Sequence, residues 1–192
     1  MANARVNPHH SGSASDPGEA VRLIRVESER AGTVEVPETD VLEMSAPIPG
    51  FPAARKYCVI PTRTDEPTPF VWLQSVDEPK VAFIAVNPFD FFPDYDVELP
   101  RPDQEELDIQ AAEDVSLLAL VSIPPGRPQD ITANLVAPVV INTRANRARQ
   151  VILYDSEYGT KHRLLPDPAG SEADSVAEKE AQAAPNAKAV GD

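Results

Sequence analysis

The hydrophobic residues of the chain occur in short runs that alternate with polar residues and are separated by turns. Alternation with a period of two is typical of half-buried β-strands. It begins at residues 21–26 and returns at residues 33–36. Further apolar runs have the usual length of a strand and lie at residues 41–44, 57–60, 115–123 and 139–142. We therefore predict a domain built mainly from short strands.

Two β-hairpins are predicted from this pattern. Residues 70–76 and 81–86 are rich in β-branched and aromatic side chains, and an Asp-Glu-Pro turn separates them. We predict that they form a central hairpin. A second hairpin is predicted between residues 139–142 and 150–154, around a turn at Ala145 and Asn146.

One short helix is predicted between the two hairpins. It starts at Pro102, because proline suits the first turn of a helix and the acidic residues that follow suit its N-terminus. We expect it to end near Ile109. The predicted fold class is all-β: a small β-barrel-like or two-sheet antiparallel domain with one short helix and disordered termini.

The predicted domain occupies residues 20–166. Residues 1–19 form a leader and residues 167–192 an acidic tail. Both ends are expected to be disordered, because they contain too few apolar side chains to offset the entropy cost of ordering.

The predicted central hairpin leads into a segment in which aromatic and acidic residues are interleaved. We call residues 87–99 the acidic-aromatic segment. It contains the aromatic residues Phe89, Phe91, Phe92 and Tyr95 and the acidic residues Asp90, Asp94, Asp96 and Glu98. Pro88 and Pro93 fix φ and remove two backbone donors. We therefore predict a turn, a rigid bend and then an edge strand at residues 95–99.

Two interpretations of the acidic-aromatic segment are open at this stage. In the first, some of the rings plug the end of a β core while the acids face water, because burying a Phe side chain contributes roughly 1.5–3 kcal/mol. In the second, the segment forms an acidic, aromatic-lined face for a basic partner, since exposed aromatics beside charges are typical of interface hot spots. The two interpretations can hold for different side chains of the segment.

The chain is strongly acidic, with 17 basic and 31 acidic residues and a net charge of −14. The predicted tail contributes −4 and the leader −1, which leaves −9 for residues 20–166. A field of this sign repels nucleic acid and anionic lipid, so we predict no direct nucleic-acid or membrane partner and favour basic proteins. Residues 1–20 have no apolar signal-peptide core, and the apolar run at 117–121 is far shorter than the ~20 residues of a membrane helix. We therefore predict a cytoplasmic protein.

The sequence offers no motif for catalysis, for a cofactor or for a metal ion. Its single cysteine, Cys58, excludes an internal disulfide and a cysteine-rich zinc site. His162 stands between Lys161 and Arg163, whose like charges disfavour a protonated imidazole. The carboxylates of the acidic-aromatic segment lack the spacing of a calcium-binding loop. We predict a non-enzymatic protein without cofactor or metal.

Five short motifs, in family order, resemble the flagellar assembly factor FliW family. The resemblance covers roughly residues 21–165. The motifs are Ile48-Pro49-Gly50-Phe51-Pro52, Trp72-Leu73-Gln74-Ser75 within residues 70–75, Asn87-Pro88-Phe89 within residues 87–95, Thr132-Ala133-Asn134-Leu135 within residues 132–142, and Arg149-Gln150-Val151.

The resemblance implies a compact, non-catalytic β-barrel-like protein. It also implies two partners, flagellin and the RNA-binding regulator CsrA, whose repression of flagellin mRNA translation the protein would relieve. Free flagellin is then expected to release the regulator. The residues that we predict to bind a partner are chosen from the sequence itself. They are Phe89, Phe91, Phe92, Asp94, Tyr95, Asp96 and Glu98, together with Asn134.

The alternative is a protein of a different class: a small β-barrel that binds a ligand, or a structural subunit unrelated to flagella. A ligand-binding barrel needs a deep cavity lined by apolar side chains. A filled barrel interior would instead favour an interaction protein.

Overall fold

The computed structural model describes residues 21–63, 65–154 and 156–166. The predicted leader and acidic tail lie outside the described residues. The elements of the described chain are β1 (Leu23–Ser28), β2 (Gly32–Pro37), β3 (Leu42–Met44), β4 (Lys56–Pro61), β5 (Phe70–Ser75), β6 (Ala82–Val86), α1 (Arg101–Glu106), β7 (Val115–Ser122), β8 (Thr132–Ala133), β9 (Val139–Asn142), β10 (Arg147–Gln150) and β11 (His162–Arg163). The prediction of an all-β domain with one short helix is confirmed.

Seven of these strands close into a barrel. Their order is β7-β6-β5-β4-β3-β10-β9, and β9 pairs again with β7 to complete the circle. Neighbouring strands are antiparallel except β3 and β10, which run parallel. The predicted central hairpin is confirmed as β5–β6. Outside the barrel, β1 and β2 form a separate hairpin, and β8 and β11 extend the sheet from β7.

Side chains alternate across the barrel wall, so the strands of the barrel contribute to hydrophobic clusters on both of its faces. The interior cluster is formed by Leu42, Met44, Tyr57, Leu73, Ala85, Leu118, Val139, Ile141 and Ala148, together with Ile48 and Ala54 from a loop. These side chains fill the barrel, and two other clusters cover its outer surface.

The β1–β2 hairpin covers the outer surface of β4 and β5. It buries Val26 and Val36 against Cys58 and Ile60. Burial raises the pKa of the Cys58 thiol to about 11. Cys58 is thus a small core residue beneath the hairpin, which agrees with the absence of a catalytic cysteine motif in the sequence.

The outer surface of β7 and β9 is covered by the acidic-aromatic segment and by side chains from the chain before and after the β9–β10 hairpin, namely Ile131, Ala133, Leu135, Val151, Leu153, Tyr158 and Leu164. Leu117 and Ala119 of β7 and Val140 of β9 lie at the centre of this outer cluster. The rings of the segment therefore pack on the wall of the barrel. We expected some of these rings to be buried at the end of a β core. They are partly or fully buried, but on the side of the barrel.

The second predicted hairpin is present, but its second strand begins three residues earlier and ends four residues earlier than predicted. β10 ends at Gln150, which is opposite Val139. Residues 151–154 continue beside the partner chain: the Val151 N–H donates to the Pro138 carbonyl (3.0 Å), and Leu153 donates to Val136 (2.9 Å). Because Pro138 has no N–H to return a bond, the regular ladder stops at Gln150.

The helix α1 is shorter than predicted and ends at Glu106 rather than near Ile109. Asp108 follows with a positive φ of 56°, which turns the backbone out of the helix. The side-chain amide of Asn142 then donates to the carbonyls of Leu107 (2.9 Å) and Asp108 (2.8 Å). A side chain from β9 thus binds carbonyl groups that the helix leaves unpaired.

Candidate partner-binding surface

The acidic-aromatic segment begins with a side-chain-capped turn. The Asn87 Oδ1 accepts the Phe89 N–H (3.1 Å), and Pro88 is the first residue of a short 3₁₀ turn, where it needs no N–H. The Phe92 N–H donates to the Pro88 carbonyl (2.8 Å) and the Tyr95 N–H to the Phe92 carbonyl (3.0 Å). The predicted turn and bend are therefore present.

The predicted edge strand at residues 95–99 is wrong. The described chain has no strand pairing at these residues. The Asp96 N–H, which a strand would use for its ladder, donates instead to the Tyr158 hydroxyl (2.9 Å). The segment follows an irregular extended path along the barrel because side chains, rather than a neighbouring strand, bind its backbone.

Tyr95 anchors the segment to the outer surface of the barrel through a buried side chain. Its side chain is only 4% exposed, and its hydroxyl donates to the Leu135 carbonyl (2.6 Å). Its ring packs against Tyr158 and Phe89, with centroid distances of 4.7 and 5.8 Å. Burial, and to a lesser degree the neighbouring Tyr158, raises the pKa of the Tyr95 phenol. Tyr95 was predicted to contact a partner directly, but its ring has almost no exposed area for that role.

The three phenylalanines of the segment are half-buried. All three pack against the outer cluster. Phe91 also lies beside Phe70 of β5 (6.1 Å between centroids), and Phe92 meets His162 edge-on (6.0 Å). The first interpretation thus accounts for much of their ring area, and each ring keeps a part that a partner could contact.

Tyr158 is the residue that organises the centre of the acidic run. Its hydroxyl accepts the Asp96 N–H and donates to the Asp94 carbonyl (3.4 Å). Its ring contacts Tyr95 and, at 6.0 Å, His162. Sequence reasoning missed this residue, since Tyr158 lies in a polar loop with no pattern that relates it to a segment more than 60 positions away.

The acidic side chains of the segment lie on the outside of this framework. Asp90, Asp94, Asp96 and Glu98 are all exposed. Among the described residues, none of the four carboxylates has a basic side chain within ion-pair distance. The surface therefore presents uncompensated negative charge on a backbone that is fixed at Asn87, Tyr95 and Asp96.

The far end of the segment is attached to the barrel through α1. The Gln104 side chain donates to the Leu99 carbonyl (2.7 Å). Arg149 of β10 pairs with Asp103 (3.3 Å) and with Glu106. In the sequence, Arg149 lies close to Arg144 and Arg147 around the predicted hairpin turn, but in the structure two carboxylates of the helix balance its charge.

Asn134 lies in the turn that supports Tyr95. Its Oδ1 accepts the Ala137 N–H (3.1 Å), and the carbonyl of the next residue, Leu135, is the acceptor of the Tyr95 hydroxyl. The structure thus brings Asn134 into the same assembly as the acidic-aromatic segment. Its side chain is half-buried and shapes this turn.

Other kinds of site find little support in the described part of the chain. No group of three or more His, Cys, Asp or Glu side chains there could hold a metal ion. No helix there is long and apolar enough to cross a membrane. A cavity of about 290 Å³ lies outside the barrel, lined by apolar residues such as Ile24 and Val41 and by charged residues such as Glu43 and Lys56. The buried side chains of the interior cluster occupy the inside of the barrel, which favours an interaction protein over a ligand-binding barrel.

The fold and this surface together define a small closed β-barrel protein with an acidic candidate interaction face. Comparison with known proteins identifies its family. Residues 25–164 match the family model described as FliW protein. The chain therefore belongs to the FliW family of flagellar assembly factors, and the resemblance noted in the sequence is confirmed.

Individual relatives agree with this assignment. Flagellar assembly factor FliW of Geobacillus kaustophilus is 38% identical over 144 residues, which cover 75% of this chain and 97% of the relative. FliW of Magnetococcus marinus is 37% identical over 144 residues, 75% of this chain and 86% of the relative. A crystal structure of the flagellar assembly factor FliW superposes with a TM-score of 0.69 at 34% identity, covering 76% of this chain and 99% of that one. These relatives are named as assembly factors, not as enzymes.

Proposed function

We propose that this protein binds flagellin and a CsrA-type RNA-binding regulator in the cytoplasm, and that it thereby relieves repression of flagellin mRNA translation. Membership of the FliW family supports a role in flagellar assembly. The observation that carries the proposed binding site is the set of exposed carboxylates that pair with no basic side chain in the described part of the chain. The protein acts by binding alone, without catalysis, cofactor or metal.

The charge of the surface suits partners that are basic where they dock. Complementary charges mainly raise the rate of encounter and set the orientation of the two proteins. A protein with a net charge of −14, bound beside an RNA site, also repels the RNA backbone. The same carboxylates therefore favour the regulator and disfavour its RNA.

The rigid attachment of the segment supports this role as well. Tyr95 and Tyr158 bind its backbone before any partner arrives. A surface that is already ordered loses less conformational entropy on binding than a mobile loop does. In this proposal Tyr95 acts by positioning, while Asp94, Asp96 and Glu98 act by charge and the half-buried phenylalanine rings supply apolar contact. Asn134 supports the turn beside them.

Reversal of the three central charges tests the proposal. In the variant Asp94→Lys, Asp96→Lys and Glu98→Lys we expect association with flagellin and with the regulator to slow by about tenfold or more at low salt. The dependence of the association rate on ionic strength should weaken as well. Rapid-mixing kinetics at several salt concentrations measure both quantities.

A matched variant separates the site from net charge alone. Glu35→Lys, Asp40→Lys and Glu78→Lys make the same change in charge at exposed positions outside the acidic-aromatic segment. We expect this variant to retain most of the association rate. Equal losses in the two variants, or no loss in either, would show that the segment is not the docking site.

A further inference from the structure

Residues 150–154 present an open β-edge on the surface of the protein. On one side, the N–H groups of Val151 and Leu153 donate to the chain at residues 136–138. Groups of alternate residues in an extended chain point to opposite edges. The backbone groups of Gln150 and Ile152 therefore face away from that neighbour, as does the N–H of Tyr154, where a turn begins with the Ser156 N–H donating to the Leu153 carbonyl (3.3 Å).

On the other side of this edge, β3 ends before it reaches residues 150–154. Its last pairing with β10 joins Met44 to Ala148, and the Ser45 N–H donates to the Ala148 carbonyl (2.9 Å). Beyond that point, no backbone bond from the described residues reaches the N–H of Ile152 or Tyr154. The edge thus offers hydrogen-bonding groups at every second residue, which is the spacing that an added strand uses.

The side chains along this edge are apolar and exposed. Tyr154 is 82% exposed and Ile152 is 46% exposed, while Val151 and Leu153, which alternate with them, are buried in the outer cluster. Proteins usually protect open edges with charged side chains. Strand β1, for example, pairs with β2 along one side only, and it carries Arg25 and Glu27 on its exposed face. None of the five residues 150–154 has a charged side chain.

The surroundings of the edge indicate the charge of its occupant. Arg149 is balanced by two carboxylates of α1. The two carboxylates outweigh its single positive charge, and the exposed Glu157 follows the edge in the sequence, so the described charged groups next to the edge are net negative. A second copy of the chain would bring a further charge of −14, which opposes self-pairing.

We infer that the edge at residues 150–154 is a docking site for an extended, basic segment of a protein partner, which binds as an added β-strand. The main-chain groups of Gln150 and Ile152 and the N–H of Tyr154 bind the backbone of that segment. The side chains of Ile152 and Tyr154 contact its apolar residues. This site is separate from the carboxylates of the acidic-aromatic segment and does not depend on their proposed partners.

A synthetic peptide tests this inference. The probe is a blocked, fluorescent peptide of about ten residues that alternates valine with lysine. When it is added to the full chain, we expect amide hydrogen exchange at Gln150, Ile152 and Tyr154 to slow by about tenfold or more at saturation, because these N–H groups gain acceptors. Exchange at residues of β1 and β2 should stay unchanged.

Substitutions on both molecules identify strand addition as the mode of binding. Ile152→Pro removes an outward N–H that the described structure does not use, and we expect it to weaken binding by about tenfold. Ile152→Val keeps the N–H and should bind within about twofold of the parent. A peptide that is N-methylated at alternate residues, and one that alternates valine with glutamate, should both bind poorly. Tyr154→Ala provides a second loss-of-contact variant if Ile152→Pro does not fold.

Four results would overturn the inference. They are no protection at the three amides with the valine-lysine peptide, undiminished binding by a folded Ile152→Pro variant, equal binding of the N-methylated peptide, and protection that depends on protein concentration without any peptide. The last result would identify a second copy as the occupant. Because the probe is synthetic, each of these results leaves the proposed roles of flagellin and the regulator untouched.

Discussion

Replacing Tyr95 by alanine is expected to lower the free energy of unfolding by about 3–5 kcal/mol, the usual cost of removing a buried aromatic side chain. The ring is 4% exposed and packs against Tyr158 and Phe89. The substitution also leaves the Leu135 carbonyl without its 2.6 Å hydrogen bond. For a domain of this size, each kcal/mol corresponds to about 2–4 °C in Tm. Chemical denaturation and thermal unfolding measure the effect.

Two control variants separate the contributions of Tyr95. Tyr95→Phe keeps the ring and removes only the hydroxyl, so we expect a loss of about 1–2 kcal/mol. Asp94→Asn alters an exposed neighbour and should change stability by less than about 0.5 kcal/mol. Partner association should fall in Tyr95→Ala, since the segment loses its anchor. A Tyr95→Ala variant within about 1 kcal/mol of the parent would contradict the account, because a cost that small is too low for a buried aromatic anchor.

The second large effect is expected at Asn142, where alanine should cost about 2–4 kcal/mol. Asn142 is 2% exposed, and its amide donates to the carbonyls of Leu107 and Asp108. Its Oδ1 accepts the N–H groups of Arg144 and Ala145 at 2.9 and 3.1 Å. Truncation therefore removes the partners of four backbone groups at the junction of α1 and the β9–β10 turn.

Asn142→Asp is a second test of this side chain, and Gln110→Ala is the control. Aspartate keeps an acceptor for the turn but places an oxygen against two carbonyl oxygens, so we expect it to be destabilising too. Gln110 makes an exposed hydrogen bond near the same helix end, to Asp108 (2.9 Å), and its replacement by alanine should cost less than about 0.5 kcal/mol. A wild-type denaturation midpoint for Asn142→Ala would show that the junction does not depend on this side chain.

The hairpins and the helix could be predicted from the sequence because their signals are local. The β5–β6 hairpin joins two runs of strand-forming residues through a short turn, and the pattern and the pairing agree. Closure of the barrel could not be predicted in the same way. The pairs β7–β9 and β3–β10 join strands that are distant in the sequence, and no local pattern specifies them.

The candidate site shows the same division between local and distant information. Its acidic residues and its turns were recognised because prolines and charges are visible in the sequence. The hydrogen bonds that hold the segment in place could not be predicted, because they join residues far apart in the sequence. Tyr95 and Leu135 are 40 residues apart, and Asp96 and Tyr158 are 62 residues apart. The strand predicted at residues 95–99 failed for this reason, since a distant side chain occupies the donor that a ladder would use.

The early end of β10 has a physical cause that the sequence contains but that cannot be recognised without the fold. Pro138 is plain in the sequence, and proline within a sheet is confined to edges and bulges. Its effect on the neighbouring strand can be predicted only when Val151 is known to lie opposite Pro138. That pairing ends the regular β9–β10 ladder at Gln150.

The central claim is that one copy of this protein exchanges one partner for the other. A standard interface takes about 800 Å² from each protein, so two partners could fit by area alone, and exclusion must arise from shared or coupled surface. Any loss in affinity that flagellin causes for the regulator must then equal the loss that the regulator causes for flagellin.

Titration of flagellin into a preformed complex with the regulator, followed by size-exclusion chromatography, tests this claim most directly. The account predicts that flagellin releases the regulator and that two peaks replace one, a flagellin complex and the free regulator. A stable peak that contains all three proteins would contradict it.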